Sequence, residues 1–225
     1  MNKGFFITGT DTNVGKTFVT CCLLKTLQEY CELPIHARKP IASGAIRFTA
    51  QKLISEDAML LKKHSNNSDT LKDICPYLFE EAISPARAIR LNNATITLTD
   101  LVKASKTPKD SICLVEGAGG YYSPLTGNKL NSDLASKLEL PIIIVVENRT
   151  GCINQTLMTI EAVKTSKLEI ACVIINDTSL NADIENIKDI SKLTDTKCIQ
   201  IGYQPKQTPI NNQELWQAIS IYLTD

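Results

Sequence analysis

The chain has 225 residues, 43% hydrophobic and 21% charged, which is the balance of a soluble globular protein able to bury a substantial core. Its 24 Lys and Arg match its 24 Asp and Glu with no basic run or stripe, which argues against nucleic acid as a main partner because backbone phosphates demand a positive footprint. The longest purely apolar run, PIIIVV, is far too short to span a bilayer.

In chain order, two kinds of segment alternate. FFIT at 5–8 reads as a buried strand, and 14–30 has helical spacing. IHARK at 35–39 is a weaker strand, 57–63 a short helix, and KKHSNNSDT at 62–70 a polar surface loop. A helical stretch at 98–105 leads to the strand ICLVE at 112–116 and a helix at 132–138. PIIIVVE at 141–147, a helix at 152–166, IACVIIN at 170–176, a helix at 182–192, CIQIG at 198–202 and a helix at 214–223 complete the series. Continuous rather than alternating hydrophobicity marks strands covered on both faces. Strand then helix, repeated, predicts right-handed crossovers. The expected fold is therefore a single α/β domain over 1–225, with a mostly parallel central sheet and helices on both faces. No linker or internal repeat divides it.

The N-terminus MNKGFFITG lacks the long apolar stretch of a signal peptide. The eight cysteines form no CxxC pair, and there are only two histidines, so no zinc site is expected. Unpatterned thiols fit a reducing cytoplasm, and a cytoplasmic location is expected.

Between the first strand and the first helix stands GTDTNVGKT, residues 9–17. Lys16 and Thr17 follow Gly15 as in a phosphate-binding P-loop, G-x-x-x-x-G-K-[ST], although Thr10 occupies the usual first-glycine position. Glycine lets backbone N–H groups approach phosphate oxygens, and the helix start adds positive potential. Lys16 supplies a mobile charge, and the Thr17 hydroxyl suits Mg²⁺, a hard ion that prefers oxygen. The alternative, a glycine-rich turn with a surface lysine, is disfavoured by the strand before and the helix after. Such a site makes this a P-loop NTPase-type fold and predicts a nucleotide with Mg²⁺.

Glu116 closes ICLVE and is followed by GAGG. In open α/β sheets, ligands sit at the carboxyl ends of strands, so Glu116 is the first choice as a metal-binding carboxylate. Gly117, Gly119 and Gly120 leave room beside it. Asp57 reads equally as a helix cap or a ligand. Lys39, after the second strand, reads as a catalytic or anion-binding lysine or as an ordinary strand end. Asn176 and Asp177 end IACVIIN. The asparagine amide matches adenine's N6/N7 edge, and it matches turn chemistry as well.

Together GTDTNVGKT, KPIASG, VEGAGG, GCIN and the strand-end ND, in that order over nearly the whole chain, resemble the dethiobiotin synthetase family. These are ATP-dependent enzymes that close the ureido ring in biotin synthesis. The resemblance implies that Asn13, Val14, Gly15, Lys16, Thr17 and Phe18 cradle the ATP phosphates. Thr17, Asp57 and Glu116 would hold Mg²⁺. Lys39 would be the active-site lysine, acting with Lys16, and Thr12 would lie close to substrate and phosphates. Glu116, Gly117, Ala118 and Gly119 would line the nucleotide–substrate junction. Asn176 and Asp177 would face adenine, with Gln204, Pro205 and Lys206 near the base. Ser43 would contact the substrate, 7,8-diaminononanoate. Gly151, Cys152, Ile153 and Asn154 would bind its carboxylate from the other subunit, which implies a homodimer. CO₂ or bicarbonate supplies the ring carbon.

Two departures stand out. ENRT, residues 147–150, replaces a glycine followed by apolar and basic residues, and Gln155 stands where a histidine is common. The rival class is a P-loop switch ATPase of the partitioning or iron-protein kind. Those usually carry a second lysine early in the loop, and none precedes Lys16 within GTDTNVGKT.

Overall fold

Five apolar runs and the weaker IHARK become one parallel sheet in the computed structural model, which describes residues 3–49 and 52–223. The strands are β1 Lys3–Gly9, β2 Ile35–Arg38, β3 Ile112–Gly120, β4 Ile142–Glu147, β5 Ile170–Asn176 and β6 Cys198–Ile201. Their order across the sheet is β6-β5-β4-β1-β3-β2, with every pairing parallel. β1 therefore lies centrally, and its P-loop emerges beside the carboxyl ends of β3 and β4.

The helices are α1 Lys16–Tyr30, α2 Glu56–His64, α3 Leu71–Ile74, α4 Pro85–Leu91 and α5 Leu98–Ala104. They continue with α6 Asn131–Leu138, α7 Cys152–Thr165, α8 Glu185–Leu193 and α9 Gln213–Ile219. Side-chain alternation along each strand sends successive residues to opposite faces. Phe5 and Ile7 join a core built with α1, α2, α3 and α9. Phe6 joins a second core built with α4 to α8. Both faces are thus covered, as continuous hydrophobicity predicts. None of the described helices is long and apolar enough to cross a membrane.

Three differences from the sequence reading bear on the site. First, β3 does not stop at Glu116. It runs to Gly120, which pairs with Gly9 past an irregularity between Ile7 and Gly9. Second, α3 and α4 were not expected. α3 is a single turn closed by a Thr70–Asp73 capping box, and it buries Ile74. Third, the stretch read as a surface loop at 62–70 is divided. Residues 62–64 end α2, and the rest is pinned to β2. Asn67 donates to the Ile35 carbonyl at 2.7 Å, and Asp69 accepts from Arg38 at 2.6 Å and lies 2.7 Å from His36 Nδ1.

A short antiparallel hairpin, Ile46–Thr49 with Lys52–Ile54, was also not foreseen. α1 begins at Lys16, two residues later than the helical spacing suggested. All eight cysteines are free and all but Cys31 are buried. Burial pushes the Cys75, Cys113 and Cys172 thiols up to about 12, so they pack as small hydrophobes.

Candidate active site

The loop after β1 is shaped by residues that accept positive φ. Asn13 has φ 61° and Gly15 has φ 90°. A Cβ on Gly15 would also stand 2.1 Å from the Asn176 amide nitrogen, so glycine is required there twice over. That amide donates to the Val14 carbonyl at 3.1 Å and ties the loop to the end of β5. Lys16 begins α1 and arches back, its Nζ donating to the Asp11 carbonyl at 2.8 Å. Burial pushes Lys16 down to about 8, and the neighbouring Lys39 charge adds to this against the opposing pull of Glu116 and Asp57.

Opposite the loop, three oxygen-bearing side chains converge. Glu116, 1% exposed, comes from β3. Asp57 comes from the first turn of α2, whose Ser55 cap accepts from the Ala58 N–H at 3.2 Å. Thr17 Oγ1, in the first turn of α1, lies 2.8 Å from both Asp57 Oδ1 and Glu116 Oε1. Thr20 Oγ1 stands 3.2 Å from Glu116 Oε2. Lys39 Nζ donates to Glu116 Oε1 at 2.7 Å and also to Asp57. Burial alone would lower the Lys39 pKa, but Glu116 and Asp57 outweigh it and hold the ammonium above its ordinary value. Asp57 is held below the usual carboxylate range: burial opposes this, and Lys39 overcomes it. The set of one hydroxyl and two carboxylates has the all-oxygen chemistry of a Mg²⁺ site.

These groups share a cavity of about 430 Å³, lined by Thr12, Asn13, Gly15, Lys16, Thr17, Phe18, Lys39, Ser43, Asp57, Glu116, Ala118 and Gly119, with Ala42 and Leu60. A larger depression of about 610 Å³ lies at the amino ends of β5 and β6. It has no comparable convergence of paired charges, so the smaller cavity is the chemical one.

The Ala118–Gly119 wall is held by a residue that the sequence reading missed. Asn131 is fully buried at the start of α6. Its Nδ2 donates to the Gly120 carbonyl at 3.0 Å and to the Ala118 carbonyl, and its Oδ1 accepts from the Ala118 N–H at 3.3 Å. Gly117 sits so close that a Cβ there would meet Asn131 and Phe6 at 3.1 Å. An asparagine at a helix start reads as cap chemistry, and nothing local reveals the reach across to β3. Thr20 was missed too. Its place one turn after Lys16 was the available signal.

The remaining expected residues lie apart from this cavity. Asn176 faces the P-loop backbone. The Asp177 carboxylate accepts from Asn148 Nδ2 at 2.7 Å and from Gln200 Nε2 at 2.8 Å. Asn148, a departure at sequence level, is 4% exposed and also donates to the Asp183 carbonyl at 3.0 Å while accepting from Asn186 at 2.8 Å. Gln204, Pro205 and Lys206 form a turn after β6, with Lys206 at φ 55°. Gly151, with φ 89°, precedes Cys152, Ile153 and Asn154 at the start of α7. Beside them Arg149 reaches Glu147 at 3.2 Å and Gln155 at 3.1 Å, so both departures belong to one small network.

A central parallel strand feeding a bent glycine loop and a Lys-Thr helix start, faced by two carboxylates, defines a P-loop NTPase-type protein. The fold is shared with a ParA family ATPase from Chlorobium tepidum TLS, at TM-score 0.53 and 11% identity, covering 98% of this chain and 90% of that one. It is shared also with the septum site-determining protein MinD of Pyrococcus horikoshii OT3, at TM-score 0.51 and 17% identity, covering 93% and 87%. At such identities the likeness is one of fold alone.

The family model described as an AAA domain matches residues 3–213. Sequence relatives are more specific. The ATP-dependent dethiobiotin synthetase BioD of Anoxybacillus flavithermus is 37% identical over 219 residues, 95% of this chain and 96% of that protein. The one from Vesicomyosocius okutanii is 37% identical over 197 residues, 88% of each. The chain belongs to the ATP-dependent dethiobiotin synthetase family, the ligases of biotin biosynthesis.

Proposed function

We propose that this enzyme carboxylates 7,8-diaminononanoate with CO₂ and closes the ring at the expense of ATP, giving dethiobiotin, ADP and phosphate. The observation that carries this reading is the meeting of Lys16, Lys39, Thr17, Asp57 and Glu116 in one cavity at the carboxyl ends of β1 and β3. One neutral amine adds to CO₂ and loses a proton, leaving a carbamate. A carbamate oxygen attacks the γ-phosphorus, and ADP departs. The second amine then attacks the carbonyl carbon of this carbamic–phosphoric anhydride. Phosphate leaves with the C–O electron pair, and the new urea nitrogen gives up its proton.

Such a sequence needs positioning and charge neutralisation rather than a covalent nucleophile. The loop amides and Lys16 cradle the phosphates. Lys39 reaches from the carboxylate pair towards the carbamate and the γ-phosphate, where positive charge is worth most in a water-poor site. Thr17, Asp57 and Glu116 hold Mg²⁺, which when bound neutralises the phosphate oxygens. Ser43 and Thr12 orient the substrate. Asn176 and Asp177, with Gln204, Pro205 and Lys206, form the base side of the nucleotide site. Gly151, Cys152, Ile153 and Asn154 receive the substrate carboxylate of the other protomer in a homodimer. The enzyme works in the cytoplasm.

The test is isotopic. With ¹³C-bicarbonate, ATP and diaminononanoate, the label is expected in the ring carbonyl of a product with the mass of dethiobiotin. Unlabelled product, or phosphorylated substrate without ring closure, would contradict the scheme.

A further inference from the structure

A second polar cavity, of about 360 Å³, opens at the β2 edge of the sheet between α3 and α5. Its anchor is Arg38, 5% exposed. Arg38 Nε donates to the Lys106 carbonyl at 3.1 Å, and Nη1 donates to the Ala37 carbonyl at 2.9 Å and to Asp69 at 2.6 Å. Nη2 makes no hydrogen bond to the protein among the described residues and keeps some solvent access. A guanidinium so deeply set, with one end left open to a cavity, is costly unless an acceptor takes those N–H groups.

Around this anchor stand Lys72 from α3, Lys103 from α5 and Lys106. None of the three lysines makes an ion pair among the described residues. Asp73 and Asp100 share the lining, and Oδ2 of each is taken by the cap of its own helix, accepting from the backbone N–H and hydroxyl of Thr70 or Thr97. Asp69 Oδ2 accepts from Arg38 Nη1 and lies 2.7 Å from His36 Nδ1. The cavity is thus lined by four basic residues, Arg38, Lys72, Lys103 and Lys106, against Asp73 and Asp100.

We propose that this cavity is a phosphate-group site, separate from the P-loop, that takes inorganic phosphate or the phosphate of a small monoester. The Nη2 amino group of Arg38 offers its N–H donors to phosphate oxygen, and the lysines neutralise the second charge. Tyr77 lines the same cavity and offers an apolar wall to the organic part of an ester. The site adjoins the chemistry without entering it. Arg38 precedes Lys39, whose N–H donates to the Ile74 carbonyl at the end of α3 at 2.8 Å, and α3 also carries Lys72.

The test is calorimetric titration of inorganic phosphate into protein whose P-loop is already filled with Mg²⁺ and a non-hydrolysable ATP analogue. One site is expected in the wild type. It should weaken by at least about tenfold in the Lys72→Gln/Lys103→Gln double variant, as loss of two nearby charges demands. Both side chains are exposed, so that variant is expected to keep wild-type melting temperature and turnover without added phosphate. Ribose 5-phosphate in place of phosphate separates the sources: tighter binding of the ester points to a metabolite, and equal binding to free phosphate. No binding beyond the filled P-loop, or binding indifferent to the double substitution, would overturn the assignment.

Discussion

Lys16 and Lys39 sit in one cavity with opposite proton affinities. Lys16, pushed down to about 8 by burial and by Lys39, is the weaker acceptor of a proton in the free protein. Bound phosphate favours its charged form. Below pH 8 nucleotide affinity is therefore expected to be flat. Above it, binding must draw in a proton, and affinity should fall towards about tenfold per pH unit. Titration of an ATP analogue across pH 7 to 10 checks this, and Lys16→Ala should remove both the slope and most of the affinity.

Lys39 instead neutralises Glu116 from a site where both side chains are nearly sealed, 7% and 0% exposed. Lys39→Ala leaves that carboxylate buried and unpaired and should lower the stability of the free protein by about 3 kcal/mol. Asp57 is partly solvated, its side chain 41% exposed, and adds less. Mg²⁺ should restore part of the loss in thermal melts, while turnover falls by at least about a hundredfold. Lys16, Thr17 and Glu116 were legible because motif spacing or a strand end marks them. Asn131 was not, because its partners are backbone groups of Ala118 and Gly120, and backbone acceptors leave no trace in sequence.

At the scale of elements, five of the six buried strands were readable from continuous apolar runs, and β2 only weakly from IHARK. α3 was not, because four residues are too few to show a helical period, and α4 was not read either. α3 is fixed by its Thr70–Asp73 capping box and the burial of Ile74, and α4 by Pro85 at its first position and the burial of Ala88 and Ile89. β3 was cut short in the reading since GAGG looks like a loop, yet Gly120 pairs with Gly9, a pairing set by tertiary register. The joint between β5 and the P-loop yields a prediction. Gly15→Ala combines a positive φ with a clash against Asn176, and it should cost more than about 1 kcal/mol and sharply weaken phosphate binding. Gly127→Ala, at φ 54° with nothing within 4 Å of the added carbon, is the control. It shares the backbone strain without the contact and should leave nucleotide affinity unchanged.

For the whole molecule, the chain builds its nucleotide cavity from β1, β2, β3, α1 and α2, while the α7 start lies outside it. In the proposed dimer each protomer completes the other's substrate site. Met158, one turn beyond Asn154 on α7, is 65% exposed and serves as a probe of that assembly. Met158→Asp is expected to shift sedimentation towards the monomer and raise the KM for diaminononanoate, with affinity for the ATP analogue retained. The most direct test of the central claim is ADP formation by purified protein with Mg²⁺ and ATP, measured with diaminononanoate and bicarbonate added separately and together. Turnover that requires both, with one dethiobiotin formed per ADP, is the expected result. ATP hydrolysis indifferent to both would contradict ring closure and favour a nucleotide switch on the same fold.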